Sequence, residues 1–155
     1  MLGRTYEGQD CSIARTLEVV GERWTLLVLR ECFLGTARFD DFQRRLGVAR
    51  NVLQTRLERL LEEGVLERRP YQERPLRHEY VLTREGRELL PVLLALLEWG
   101  DRHRAPDGPP VTIAHAYCGG ALQSVLRCER CSEDVGERAI EVRGRRELTP
   151  VAQPA

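Results

Sequence analysis

Ala49-Arg50-Asn51-Val52-Leu53-Gln54-Thr55-Arg56-Leu57-Glu58-Arg59-Leu60-Leu61-Glu62-Glu63-Gly64-Val65-Leu66-Glu67-Arg68-Arg69 decides the fold. Leu53, Leu57, Leu60 and Leu61 recur at helical spacing and form one apolar stripe. The spacing predicts a helix over 49–63, and Gly64 is the expected stop. The pattern then changes. Residues 65–71 and 77–82 carry β-branched, aromatic and alternating side chains, with Gln72 to Leu76, including Pro75, between them. That predicts a two-stranded hairpin closed by a loop of several residues.

Upstream, three shorter helices are expected. Ser12 can cap the first, which would bury Ile13, Leu17 and Val20 and end at Gly21. The second runs from about Arg23 to Phe33, with Trp24, Leu27 and Val28 inward and Glu31 breaking the pattern once. Phe39, Phe42 and Leu46 mark the third, with Asp40 and Asp41 in its first turn, where negative charge suits the helix dipole. Gly47 ends it. Downstream, Thr83 can cap a long helix through Leu90 to Trp99, kinked at Pro91. Apolar residues cover nearly all sides of Leu89 to Leu97, which calls for cover by a partner chain. A helix, a glycine turn, a second amphipathic helix and a ribbon make a winged helix-turn-helix. The fold class expected is mostly α (α+β), with a two-stranded wing and a small C-terminal Cys-rich, zinc-ribbon-like appendage.

The chain has 155 residues, enough for one domain with an appendage. Its 24 basic residues, all Arg, balance 24 acidic ones. Zero net charge excludes a uniformly basic tail protein but leaves room for a local basic face. No apolar run is long enough to span a membrane. Met1 to Asp10 lacks the apolar block of a secretory signal, and five cysteines are an odd number. The expectation is a cytoplasmic chain without a disulfide framework. Turn formers from Ala105 to Pro110 read as a linker. The organisation expected is a DNA-binding and dimerisation domain over 1–104, a linker over 105–113, a module over 114–143 and a flexible tail over 144–155. No internal repeat is visible.

With the leucine stripe inward, Asn51 and Thr55 face out, with Gln54 and Arg50 beside them and Arg56 on the same turn. They occupy the helix half that enters the major groove in helix-turn-helix proteins. Asn and Gln can read adenine edges, and Arg can read guanine or hold phosphate. Glu58 and Glu62 would be repelled by phosphates, so the second half should stand clear. The ribbon adds Arg68, Arg69, Arg74 and Arg77. Residues 68–78 hold four Arg against one Glu, a net +3. A positive ribbon beside a recognition helix can reach phosphates or the minor groove.

Several blocks carry a family resemblance. They are Cys11-Ser12-Ile13-Ala14-Arg15-Thr16-Leu17, Val20-Gly21-Glu22-Arg23-Trp24-Thr25-Leu26-Leu27, Arg38-Phe39-Asp40-Asp41-Phe42, Leu53-Gln54-Thr55-Arg56-Leu57, Glu62-Glu63-Gly64-Val65-Leu66-Glu67-Arg68-Arg69, His78-Glu79-Tyr80-Val81-Leu82-Thr83 and Trp99-Gly100. Residues 11 to about 103 resemble the HxlR-type winged-helix transcriptional regulators, in the MarR-like superfamily. The resemblance implies a cytoplasmic homodimer, paired through terminal helices, that binds double-stranded operator DNA with two winged helices. One departure is Ala49, where many members place Ser. An Ala N-cap forfeits about 1 kcal/mol, unless a phosphate meets the exposed amides. In some relatives a cysteine near the N-terminus senses oxidants or electrophiles, and Cys11 matches that position. The competing reading is a small residue buried at a dimer seam.

After the linker, His115-x2-Cys118-x9-Cys128-x2-Cys131 has the spacing of a tetrahedral metal site. Structural zinc is the cofactor expected, because so short a module makes little core of its own. Loose thiols or a disulfide are the alternatives. For an enzyme the sequence offers no glycine-rich phosphate loop and only three His. The functional expectation is a sequence-specific DNA-binding regulator, a repressor acting as a homodimer on an inverted repeat. The alternative is a dimeric winged-helix module that binds protein. A small-molecule or redox effector is compatible with either.

Overall fold

The computed structural model describes residue 6 and residues 11–141, the side chain of Glu137 excepted. The tail expected over 144–155 lies outside the described residues. The chain divides into a unit ending at Val111 and a second unit beginning at Thr112.

The first unit runs α1 (Ser12–Val20), α2 (Thr25–Phe33), α3 (Phe39–Leu46), α4 (Arg50–Glu62), β1 (Leu66–Glu73), β2 (Leu76–Leu82), α5 (Arg84–Arg87) and α6 (Leu90–Arg104). Val28 and Leu29 of α2, Phe42 of α3, Leu53, Leu57 and Leu60 of α4 and Leu66 of β1 are almost fully buried against one another. Leu61 packs at their margin. The leucine stripe of α4 thus becomes the floor of the core, and its opposite face is left to solvent.

The helix-turn-helix is α3 and α4. Gly47 ends α3 in the left-handed region, φ 62°, and donates its N–H to the Gln43 carbonyl at 3.0 Å. Few other residues adopt that conformation without cost. Val48 is buried in the turn, and Ala49 is the N-cap of α4, without a side-chain capping bond.

Four expectations are corrected. In α1 the N-cap is Cys11, without a side-chain capping bond, in place of the expected Ser12, and only Ala14 and Val20 are buried, whereas Ile13 is 71% exposed and Leu17 38%. The α2 helix begins at Thr25 with Trp24 as its N-cap, so Thr25, Val28 and Leu29 turn inward and Leu27 stands at the margin. The hairpin loop is shorter than expected. The strands pair to Glu73↔Leu76, leaving Arg74-Pro75 as the turn, with a cis bond between them. A register irregularity between Pro70 and Gln72 absorbs the odd residue, Tyr71. Lastly, Pro91 starts a helix and does not kink one. Thr83 caps the one-turn α5, its Oγ1 accepting from the Gly86 N–H at 3.1 Å, and α6 begins anew with Pro91 in its first turn and runs to Arg104. Proline lacks the N–H that the first turn leaves unused anyway. No helix among the described residues is long and apolar enough to cross a membrane.

Glu31, the break in the α2 pattern, is a buried ionic centre. Its Oε2 accepts from Arg45 Nε of α3 at 2.6 Å and from Thr36 Oγ1 at 3.3 Å, while Oε1 accepts from Arg30 Nη2 at 2.8 Å. Burial by itself would raise its pKa. Hydrogen bonds from Arg45 and Arg30, with their charges, outweigh that and hold the carboxyl below its ordinary value. A lowered native pKa means stability that is present above the unfolded pKa and lost as pH falls through the native one. Glu31→Gln should therefore cost about 1.5–3 kcal/mol near neutral pH, read as a lower urea midpoint. The gap to the parent should begin to shrink below about pH 4.3 and close at more acid pH. A gap independent of pH would refute the assignment.

Candidate nucleic-acid interface

The outward face of α4 is built by its own stripe. With Leu53, Leu57 and Leu60 fixed inward, Arg50, Asn51, Gln54 and Thr55 are exposed together on the first two turns. Two are already engaged locally. Thr55 Oγ1 donates to the Asn51 carbonyl at 2.9 Å, and Gln54 Nε2 donates to Glu58 Oε1 at 2.9 Å. Asn51 is left as the open amide on that face, and Gln54 must release Glu58 before it can read anything. Arg50 lies over the Phe39 ring, 4.6 Å from its centroid, and 3.8 Å from Asp40 Oδ1. Arg56 is set back from this face. Its side chain is mostly covered and lies 3.5 Å from Glu22 Oε2, ahead of α2.

The wing sorts its four arginines. Arg69 is held by Glu67, Nε to Oε1 at 2.8 Å. Arg68 is exposed and lies 5.6 Å from the Tyr80 ring centroid, and that ring meets Phe42 edge-on at the core. Arg74 in the turn and Arg77 beside it are exposed, and neither side chain is in an ion pair among the described residues. Among the described residues only Arg69 of the four is neutralised by a carboxylate, and the two tip charges lack a ring contact as well.

One contributor escaped the sequence reading. Tyr80 N–H donates to the Ala37 carbonyl at 2.7 Å, so the segment before α3 docks on the wing. Arg38, next in the chain, stacks on Tyr71, 4.3 Å from the centroid. It is an exposed cation between wing and α3. Its presence in the block Arg38-Phe39-Asp40-Asp41-Phe42 is a signal that the periodicity of that block, read only for its apolar positions, could not convey.

The cysteines separate by environment. Cys32 is largely buried on α2, and burial, with the charge of Glu31, pushes its thiol up to about 12, so it is inert at neutral pH. Cys11 is exposed at the N-cap of α1. In the second unit His115 and Cys118 are paired, Nδ1 to Sγ 3.2 Å. The Cys128 sulfur accepts from the backbone N–H groups of Cys131 and Arg130 and from the Cys131 side chain, which hold its pKa below the ordinary thiol value. The two pairs are each formed, but among the described residues no three His, Cys, Asp or Glu are gathered as a ligand set.

Comparison with known proteins fits this geometry. The profile of the HxlR-like helix-turn-helix family matches residues 19–107. The chain belongs to that family. An uncharacterised HTH-type transcriptional regulator of Mycobacterium tuberculosis is 44% identical over 140 residues, covering 90% of this chain and 87% of the relative. The crystal structure of PA1607, described as a candidate transcription factor, is similar at a TM-score of 0.79 with 34% identity, over 88% of this chain and 96% of that one. The oxidised form of the redox regulator HypR is similar at 0.56 with 33% identity, over 61% of this chain and 98% of its own. A match of 140 residues exceeds the 111 of the first unit and so reaches the Cys-bearing unit. The HypR match is short enough to lie within the winged helix.

Proposed function

We propose that this helix-turn-helix transcriptional regulator acts as a homodimeric repressor, each subunit placing α4 in the major groove of one half of an inverted-repeat operator. The observation that carries the reading is the exposed first half of α4 beside a wing tip whose Arg74 and Arg77 have no intramolecular counter-charge among the described residues. In it Asn51, Gln54 and Thr55 read base edges, and Arg50, Arg68, Arg74 and Arg77 meet phosphates. The uncapped N–H groups at the start of α4, which Ala49 leaves open, suit a phosphate as well. Arg56 and Arg69 act at one remove, Arg56 holding α4 to Glu22 and Arg69 held by Glu67 of its own strand.

Dimerisation is supported by α6. None of its 15 residues is buried, although Leu90, Val92, Leu96 and Trp99 are apolar and exposed. Only Leu93 of that helix packs on the core. A second copy laid against these faces would remove them from water. Cys11, exposed at the head of α1, is the residue proposed to respond to oxidants, supported by that position and by the likeness to HypR.

Purified protein offered a pool of genomic fragments across a salt series should retain a few fragments sharing an inverted repeat. Weak retention that vanishes with salt would leave only unspecific charge attraction and sink the proposal. On a retained operator, Asn51→Ala with Thr55→Ala should lose about 1–3 kcal/mol of preference over random DNA. Arg74→Ala should weaken both and lower the salt slope by about 1 per subunit. If the double variant binds its operator as the parent does, a protein-binding module is the better reading. Leu96→Glu should shift the sedimenting species from two chains to one while leaving the helical spectrum unchanged, and a persisting dimer would place the interface elsewhere. Mild peroxide should release operator from the parent but not from Cys11→Ser, and equal release from both would remove Cys11 from the mechanism.

A further inference from the structure

The C-terminal unit contains a repeat that its side chains conceal. His115 N–H donates to the Gly120 carbonyl at 2.8 Å, Gly119 N–H to the His115 carbonyl at 2.8 Å, and Leu122 N–H to the Ile113 carbonyl at 3.2 Å. Thirteen residues on, each bond recurs. Cys128 N–H donates to Glu133 at 3.0 Å, Ser132 to Cys128 at 2.8 Å, and Val135 to Leu126 at 2.7 Å. The bridges correspond too, Ala114↔Ala121 and Arg127↔Asp134. So does the backbone at the turn, where Gly119 has φ 72° and Ser132 φ 59°. A serine in the left-handed region is strained, and here it keeps the second hairpin in the shape of the first.

In this repeat His115 is equivalent to Cys128, and Cys118 to Cys131. Histidine and cysteine share little chemistry except ligation of a borderline-soft metal. A disulfide explains neither His115 nor the third sulfur. The hairpins also aim their ligands. His115 Nδ1 and Cys118 Sγ converge to 3.2 Å, and two backbone N–H groups point at the Cys128 sulfur, as a metal-bound thiolate requires. Nothing apolar holds the hairpins together. No described residue of the unit is buried, and Leu122, Val125 and Leu126 are exposed. So small a unit without a core needs a staple.

From the duplicated hairpins, each presenting a two-ligand half-site, we infer that the C-terminal unit is a zinc module in which one ion joins His115 and Cys118 to Cys128 and Cys131. Three thiolates and one imidazole fill a tetrahedral shell, so the site is structural and holds no water for catalysis. The half-sites are formed before closure, and the ion draws them together. Binding releases the thiol protons and so tightens as pH rises.

The test uses the full chain purified without chelator. It should carry one zinc per chain by elemental analysis. Removing zinc should add three thiols to those that react with a disulfide reagent, and cobalt(II) alone should restore protection with the absorption of a tetrahedral thiolate site. His115→Ala should weaken zinc by more than the roughly tenfold that loss of an outer-shell partner causes, and Cys118→Ser likewise. Should those variants misfold, cobalt absorption and thiol protection in the parent still decide. The inference is overturned by a chain without zinc whose thiols all react at the outset. Half a zinc per chain, or zinc retained undiminished in both variants, overturns it equally.

Discussion

The orientation of α4 rests on one buried carboxylate. Glu31 receives Arg45 from α3, Arg30 from its own helix and Thr36 from the connection between them. Without that centre α3 would be held to α2 by little beyond Phe42 and its neighbours, and α3 sets the start of α4 through a three-residue turn. A buried ion pair is weak as a source of stability, because desolvation offsets much of the attraction. Its value is directional. Apolar packing tolerates rotation of a helix about its axis, whereas a carboxylate with three aimed donors does not. Both arginines remain half-exposed, which lowers the desolvation cost while the carboxylate itself stays covered.

The wing is held at its root by close backbone approach. Thr83 Oγ1 donates to the Gly64 carbonyl at 2.7 Å and accepts from Gly86, closing the base of the hairpin onto the end of α4. Gly86 is buried there, and a Cβ on it would lie 2.2 Å from the Val65 carbonyl oxygen. The Ala37–Tyr80 bond anchors the middle of the ribbon. Toward Arg74-Pro75 the ribbon is held by its own bonds, Gln72 Nε2 donating to the Arg74 carbonyl at 3.0 Å, while its root stays registered with α4.

What the sequence made legible follows from the range of each interaction. Helical periodicity is local, so α3, α4 and the exposed set Arg50, Asn51, Gln54 and Thr55 could be located from the stripe of leucines. Partners of a charge are not local. Arg56 read as a free cation until the fold brought Glu22 to it, and Glu31 read as a flaw until Arg45 arrived from 14 residues away. Ile13 and Leu17 read as core because apolar spacing cannot distinguish a face that meets its own chain from one left uncovered. Pro91 suits a helix start as well as a kink, and the break between α5 and α6 makes it a start. The 13-residue repeat was hidden because it lies in backbone hydrogen bonds, with only ligand spacing surviving in the side chains.

The charge distribution limits how the proposed DNA contact can work. The chain has no net charge, and several of its arginines are matched to nearby carboxylates, Arg59 with Glu62 and Glu63 and Arg84 with Glu88 among them. Cations matched in this way add little to a long-range field once salt screens it. At the proposed interface, Arg68, Arg74 and Arg77 of the wing, with Arg38 beside them and Arg50 at the start of α4, are the positions from which phosphates would be neutralised. Four phosphates per subunit, at about 0.9 counterion each, would give a dimer a salt slope of roughly −7. Such a protein would gain that attraction on every sequence alike. Its discrimination would then rest on the polar side chains of α4 and on the fixed spacing of two such helices, and that spacing makes pairing through α6 a condition of recognition.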